Sequence, residues 1–319
     1  MPPTRTTPAP AAARPAPAPP GRAVEIADGV HAYLQSPGGW CLNNAGIIVS
    51  RGHTALFDTA ATERRARHLR STALRLAPAP PRTVITSHFH GDHAFGNALF
   101  PEACIIGHER TRTEMTAAGL HLTGMWPDVD WGAVTLAPPT VTFRDRLTCH
   151  IGDLRAELAH IGPAHTSNDT VLWLPERRVL FTGDLTMNGV TPFFLMGSLA
   201  GSLAALDRLR GYGAATVVPG HGPVGGTEVF DQTEGYLRLV HRLAQEGLRA
   251  GLTPLAAARR ADLGPYARLT DPERLSANLR RAYAELQGLD PHTPLPDPDK
   301  HTALEEMVAF NGGSLCCRA

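Results

Sequence analysis

The sequence has no apolar segment long enough to cross a membrane, because none of its hydrophobic runs approaches about 18 residues. Proline interrupts residues 1–23 so often that this stretch also lacks the continuous apolar core of a signal peptide. We therefore expect a cytoplasmic protein with no membrane partner. Residues 1–23 are rich in proline and alanine, and this composition predicts a disordered tail.

An excess of positive charge is absent as well. The 30 Lys and Arg residues balance the 30 Asp and Glu residues, whereas nucleic-acid-binding proteins usually carry a basic excess. Nucleic acid is therefore not an expected partner. The 5 cysteines are odd in number and include no Cys-x-x-Cys pair, so a disulfide framework is not expected either.

The sequence does contain strand-like segments followed by helix-like segments, and this succession occurs twice along the chain. Short apolar and β-branched runs predict strands at residues 30–34, 45–50, 53–58, 83–87, 140–143, 147–151, 154–161, 170–174, 178–182 and 215–219. Helical spacing of apolar residues predicts helices at residues 62–76, 109–118, 202–210, 227–249 and 271–288. Thr62 is the predicted N-cap of the first helix.

The last helix is predicted to begin at Asp271-Pro272-Glu273, with a capping residue, a proline at the first position and an acid in the first turn. The order of these segments predicts a mixed α/β (α+β) domain over residues 24–250. A helical extension over residues 251–319 follows it and packs on the domain.

The strongest chemical signal is the segment HFHGDH at residues 88–93, which directly follows a predicted strand. In extended backbone His88 and His90 point to the same side, and Gly91 allows a sharp turn. Asp92 and His93 then face the same cavity from the start of the next helix. One strand-to-helix turn can therefore supply ligands to two neighbouring metal ions.

Three more candidate ligands follow strand-like runs, namely His165, Asp184 and His221. Glycine or proline beside each of them indicates a tight loop that fixes the side chain. The chain has 15 His, so any one candidate could be an ordinary surface or core residue. Taken together, the cluster and its three partners predict a metal centre.

In these motifs, HFHGDH, AHT, TGD and PGHG in this order, the chain resembles the metallo-β-lactamase superfamily. The resemblance implies a four-layer αβ/βα sandwich with the site at one edge of two packed sheets. It also implies a first metal held by His88, His90 and His165. The second metal would be held by Asp92, His93 and His221, with Asp184 bridging and Asp58 supporting the site from behind.

Imidazole and carboxylate ligands suit two Zn²⁺ ions, and Fe or Mn can use the same ligands. Two divalent ions bring four positive charges, of which Asp92 and Asp184 neutralise two and a bridging hydroxide a third. The remaining positive charge would stabilise an oxyanion or enolate. Asp92 and Asp184 are therefore the predicted catalytic carboxylates, with Asp184 as a possible proton carrier.

A closer resemblance concerns the second-ring cyclase/thioesterases of aromatic (type II) polyketide biosynthesis. It is carried by the stretches GGWCLNNAGI, SHFHGDHAFGN, GLHLTGMWPDVDWG and GVTPFFLMGS. It implies intramolecular aldol ring closure with loss of water, followed by hydrolysis of the thioester to an acyl carrier protein. Predicted contacts to the flat polyketide substrate are the aromatic residues Trp40, Phe89, Trp126, Trp131, Phe193 and Phe194.

The acyl carrier protein would present an acidic surface. Basic residues that could meet it are Arg64, Arg65, Arg67 and Arg70, or Arg259 and Arg260, although a solvated helix face is the more common explanation for such a set. The main alternative function is a general metal-dependent thioesterase of the glyoxalase II type. A β-lactamase would need export, a nuclease would need basic charge, and a non-catalytic binding module would not need all seven ligands.

Overall fold

The computed structural model describes residues 16–77 and 79–319, and the statements below refer to these residues. Residues 1–15, most of the predicted tail, lie outside them. The first strand begins at Arg22, two residues before the predicted domain start, and Ala18 is buried with its amide donating to the carbonyl of Arg318. Within this part of the chain no helix is both long enough and apolar enough to cross a membrane.

Twelve strands and nine α-helices make up the described chain. The strands are β1 Arg22–Ala27, β2 Val30–Leu34, β3 Ala45–Ser50, β4 His53–Phe57, β5 Thr83–Ile85, β6 Cys104–His108, β7 Val141–Phe143, β8 Arg146–Ile151, β9 Leu154–His160, β10 Thr170–Leu174, β11 Val179–Met187 and β12 Thr216–His221. The helices are α1 Glu63–Leu76, α2 Gly91–Ala94, α3 Glu109–Ala118, α4 His121–Met125, α5 Leu199–Arg210, α6 Glu228–Arg249, α7 Pro254–Arg260, α8 Arg274–Leu286 and α9 Asp297–Phe310.

The first sheet has seven strands in the order β1-β2-β3-β4-β5-β6-β7. The first four strands pair antiparallel, and β4 to β7 pair parallel. A two-residue turn fixes the β3–β4 register, because Arg51 and Gly52 both have positive φ and Ser50 pairs with His53. The second sheet has five strands in the order β12-β11-β10-β9-β8, with only β11 and β12 parallel.

The two sheets pack face to face, with Phe57 of one sheet 5.6 Å from Phe181 of the other between ring centroids. Helix α1 covers the outer face of the first sheet through Leu69 and Ala73. Helices α5 and α6 cover the outer face of the second sheet, and α8 packs against both helices. This arrangement confirms the predicted four-layer αβ/βα sandwich, which keeps the strand ends free to form a site at the edge.

Helix α1 begins as predicted, because the Thr62 side chain accepts a hydrogen bond from the amide of Arg65. The predicted helical C-terminal extension is present as α7, α8 and α9, which pack on one another, while α7 and α8 also pack against α6. The predicted start of the longest helix-like segment in this extension, at Asp271, is wrong by three residues. Helix α8 begins at Arg274, and Asp271 has a left-handed φ of 56° and forms an ion pair with Arg274 instead of capping the helix.

Candidate metal centre

The HFHGDH segment forms the expected strand-to-helix turn. Strand β5 ends at Ile85, His90 is extended with φ −63° and ψ 143°, and α2 starts at Gly91. A Cβ atom at Gly91 would lie 2.3 Å from the ring of Phe95, so only glycine fits there. Asp92 therefore enters the site from the first turn of α2.

The other three predicted ligands come from the second sheet and its loops. His165 lies between β9 and β10, and Asp184 lies in β11 directly after Gly183, whose φ is 53°. The β11–β12 register shifts at this glycine. His221 ends the parallel neighbour β12, so the shift and the pairing bring Asp184 and His221 to the same edge.

A first group of potential ligands consists of three histidines and the shared carboxylate. His90 Nδ1 lies 3.1 Å from His88 Nε2 and 2.9 Å from His165 Nε2. Asp184 Oδ2 lies 3.3 Å from His165 Nε2. All four side chains are buried, and their ligand atoms lie within 4.8 Å of one another.

The second group consists of Asp92, His93 and His221. Asp92 Oδ2 lies 3.4 Å from His221 Nε2 and 3.9 Å from His93 Nε2. Asp184 also reaches this group, at 3.1 Å from His93 Nε2 and 3.5 Å from His221 Nε2. The structure thus brings all seven predicted ligands together, with Asp184 between the two groups.

The charges of the centre are strongly coupled. Burial alone would raise the pKa of Asp184, but His93 and the neighbouring imidazoles hold that pKa well below the usual carboxyl range. Burial also acts to lower the pKa of His93, yet the carboxylates of Asp184 and Asp92 outweigh it and raise this pKa well above the usual value. The carboxylates therefore create a field that favours positive charge between them.

A hydrogen bond behind each ring fixes the orientation of three histidines. His221 Nδ1 donates to the carbonyl of Gly38 at 2.8 Å, and His165 Nδ1 donates to the carbonyl of Phe193. A carbonyl only accepts, so Nδ1 carries the proton and the Nε2 lone pair faces the centre. His93 Nδ1 lies 2.8 Å from Asp58 Oδ2, which places Asp58 in its predicted supporting position.

Two atoms at the heart of the centre lack hydrogen-bond partners. His93 Nε2 and Asp184 Oδ1 are buried and face each other, but not in hydrogen-bond geometry. Buried polar atoms in a folded protein normally have a partner, and a metal ion can fill that role. The residues therefore fit a pair of divalent cations, and their imidazole and carboxylate groups suit zinc, iron or manganese.

A cavity that is partly open to solvent lies directly over the centre. Three of the six predicted aromatic contacts, Trp40, Trp126 and Phe193, line it. Its other walls include the side chains of Leu122, Met125, Met187, Met196, Leu304 and Met307. The cavity is therefore mostly apolar, with the metal ligands as its polar floor.

The remaining three aromatic candidates do not line the cavity. Phe89 packs against Ala94 and Met115, and Phe194 lies in the core between the second sheet and its helices. Trp131 is buried behind the wall and donates its Nε1–H to the carbonyl of Trp126. Phe89 and Phe194 are neighbours in sequence of the cavity residues His90 and Phe193, but the backbone turns their rings into the interior.

Several cavity residues could not be anticipated from local motifs. His121 belongs to none of the metal-binding motifs of the sequence, yet its side chain lines the cavity. Arg274, Leu304 and Met307 come from the C-terminal extension. No motif marks them, because only the packing of α8 and α9 brings them to the site.

Comparison with known proteins supports the family resemblance. The model of the metallo-β-lactamase superfamily matches residues 38–221, more than half of the chain. A solved metallo-β-lactamase from Pontibacter korlensis superposes with a TM-score of 0.57 and 21% identity. The alignment covers 68% of this chain and 99% of that one. At this identity the likeness concerns the fold.

Relatives found by sequence carry different activities in their names. A linear primary-alkylsulfatase from Pseudomonas is 25% identical over 66% of this chain, and the match spans about half of that enzyme, 48%. A metallo-β-lactamase type 2 from Bacteroides fragilis is 26% identical over 66% of this chain and 82% of its own length. The bovine acyl-coenzyme A thioesterase MBLAC2 is 25% identical over 54% of this chain and 69% of its own.

Proposed function

The chain belongs to the metallo-β-lactamase superfamily, and on that premise we propose that it is a binuclear-metal polyketide cyclase and thioesterase. In this proposal it closes the second ring of a carrier-bound aromatic polyketide by aldol condensation with dehydration, and it then hydrolyses the thioester. The observation that carries the proposal is the cavity, whose aromatic and thioether walls end directly on the metal ligands. Such walls suit a flat, largely apolar acyl group.

Two divalent ions bound at this centre would polarise a carbonyl oxygen and supply a nucleophile at neutral pH. The chain's own residues orient the substrate. The rings of Trp40 and Trp126 lie 5.5 Å apart between centroids, and Phe193 meets Trp40 edge-on at the same separation. A planar acyl group between these rings and the methionines would be shielded from water, with its reacting carbon above the floor of the cavity.

A carrier protein as the partner is part of the proposal, but one predicted docking residue is withdrawn. Arg65 is buried and donates to Gln35 and to the carbonyls of Ala18, Pro19 and Arg318. It links residues 18 and 19 to residue 318 and is not part of a surface. On α1, Arg64 and Arg67 are exposed and remain candidates, as does the half-buried Arg70, which pairs with Glu102. Arg259 and Arg260 at the end of α7 are exposed and remain candidates too.

A general thioesterase is the second candidate. It is favoured by the similarity to the MBLAC2 acyl-coenzyme A thioesterase, since thioester cleavage is half of the proposed reaction. The two functions differ in ring closure, because a general thioesterase would release the free acid without forming a new carbon–carbon bond.

The test is incubation of the metal-loaded protein with a one-ring polyketide thioester, followed by mass spectrometry of the products. Loss of one water with formation of a second ring, and then release of the free acid, supports the cyclase/thioesterase. Free acid without ring closure leaves the general thioesterase. His90→Ala should abolish both steps, whereas His160→Ala, a histidine outside the centre, should leave both in place.

A further inference from the structure

We propose that Arg274 is a specificity-determining residue that binds an oxygen substituent on a planar aromatic acyl group in the cavity. The relevant substituents are phenolic or enolic hydroxyls and ring carbonyls, on the part of the substrate remote from the thioester. This inference rests on the proposed function for the acyl group, and the experiment below separates the two. Arg274 lies outside residues 38–221, so the superfamily motifs say nothing about it.

Arg274 stands at the first turn of α8 and lines the same cavity as the metal ligands. Its guanidinium carbon lies 3.9 Å from the centroid of the Trp40 ring and 5.9 Å from that of Phe193. Nη1 donates to the carbonyl of Thr191 at 3.0 Å, and Nη2 pairs with Asp271 Oδ2 at 3.0 Å. The planar cation is thus held rigidly against the aromatic wall.

Two buried atoms of this arrangement have no hydrogen-bond partner: Asp271 Oδ2, which keeps its ion-pair contact with Nη2, and one nitrogen of Arg274. The Nε–H of Arg274 is buried and has no hydrogen-bond partner. An unpaired buried donor is costly, and it favours a ligand that brings an acceptor. The neighbouring cavity walls are rings, thioethers and aliphatic chains, so an oxygen acceptor on the substrate is the chemistry that this edge of the cavity can use.

A second buried arginine in the same helix shows what a purely structural role looks like. Arg281 is also fully buried, but its Nε donates to Glu285, its Nη1 to the carbonyl of Thr293 and its Nη2 to that of Pro291. Every nitrogen of its guanidinium has an acceptor, and it does not line the cavity. Buried Arg65 also has an unpaired Nε, but it does not line the cavity either. Arg274 combines an unpaired nitrogen with a place on the cavity wall, and this combination favours a ligand-binding role for it.

The experiment compares the N-acetylcysteamine thioesters of 2-naphthoic acid and of 6-hydroxy-2-naphthoic acid on the metal-loaded protein. The double variant Arg274→Met with Asp271→Asn removes both members of the Arg274–Asp271 ion pair. We expect it to raise KM for the hydroxylated thioester about tenfold and to leave kcat and the plain naphthoyl thioester nearly unchanged. An equal rise in KM for both thioesters would mean that Arg274 only supports the wall.

The matched control is Arg281→Met with Glu285→Gln, which removes an equally buried ion pair from α8. It should lower the melting temperature without changing the preference between the two thioesters. Calorimetric titration with the two free acids gives a readout that needs no turnover. Tighter binding of the hydroxylated acid by the wild-type protein, and loss of this preference in the Arg274 variant, would support the inference. If neither thioester were cleaved, only the proposed function would be contradicted, and the inference would stand on the binding data. A wild-type protein without any preference overturns the inference.

Discussion

The metal ligands and the cavity wall are built from the chain in opposite ways. All seven ligands lie between His88 and His221. They come from the turn and short helix after β5, the β9–β10 loop, the register shift inside β11 and the end of β12. The wall instead combines residues as distant in sequence as Trp40 and Met307, and part of it is helix α8 and helix α9. The ligand set depends on local backbone geometry, whereas the wall depends on how the C-terminal extension packs. We infer that the chemistry and the specificity of this protein can change independently.

The independence of chemistry and specificity is tested first at the residue that both groups of ligands share, where we expect the largest loss of activity. Asp184→Asn removes the charge that approaches His93, His165 and His221. We expect thioester cleavage to fall at least about 10²–10³-fold, together with loss of bound metal measured by plasma mass spectrometry. Asp153→Asn, an exposed carboxylate in a surface ion pair, serves as the control. Full metal content with normal turnover in Asp184→Asn would show that the two groups do not depend on a shared ligand.

A smaller change, in metal affinity, should distinguish the first group of ligands from the second. Asp58 accepts from His93 of the second group and also holds the Ser87 amide and hydroxyl. Asp58→Asn should lower metal affinity at the second group about 10–100-fold, because the ring of His93 loses the carboxylate that orients it. A chelator competition titration should then show one weakened and one unchanged binding step.

Ser87→Ala serves as the control for Asp58→Asn, since it removes only the hydroxyl that also contacts His88 at 2.8 Å. It should leave the second group intact. If both binding steps weaken equally in Asp58→Asn, the carboxylate supports the whole turn and not His93 in particular.

The same contrast explains what could be predicted from the sequence. The ligands were predictable because each motif carries its own geometry: Gly91 permits the turn, and Gly183 precedes the bridging Asp184 in a short segment. The wall was predictable only in part, because an aromatic residue looks the same in a core and in a cavity. Phe193 and Phe194 are neighbours, yet only Phe193 lines the cavity. The place of Arg274 on the cavity wall could not be predicted, because Asp271 resembles a helix cap in the sequence. Tertiary packing instead gives Asp271 a left-handed backbone conformation, in which it forms an ion pair with Arg274.

A further prediction concerns the aromatic part of the wall. Trp126→Ala should raise KM for a ring-bearing thioester about tenfold, since stacking adds roughly 0.5–1.5 kcal/mol to the burial of apolar area. KM for acetyl thioesters should change little. Trp126→Phe keeps a ring but loses the Nε1–H that donates to the carbonyl of Leu315, so it should restore most of the affinity. Equal losses for both substrates in Trp126→Ala would argue against stacking.

The smallest expected effect lies on the surface, far from both the ligands and the wall. Arg64→Glu with Arg67→Glu reverses two exposed charges on α1, and Arg67 at present pairs with Glu63 at 2.6 Å. Each exposed pair is worth at most about 1 kcal/mol, so KM for a carrier-bound substrate should rise only a few-fold. That rise should shrink with added salt, because screening weakens exposed charges. A small-molecule thioester should be unaffected. The matched variant Arg259→Glu with Arg260→Glu reverses the other candidate surface, and whichever pair raises KM only for the carrier-bound substrate identifies the side on which the carrier docks.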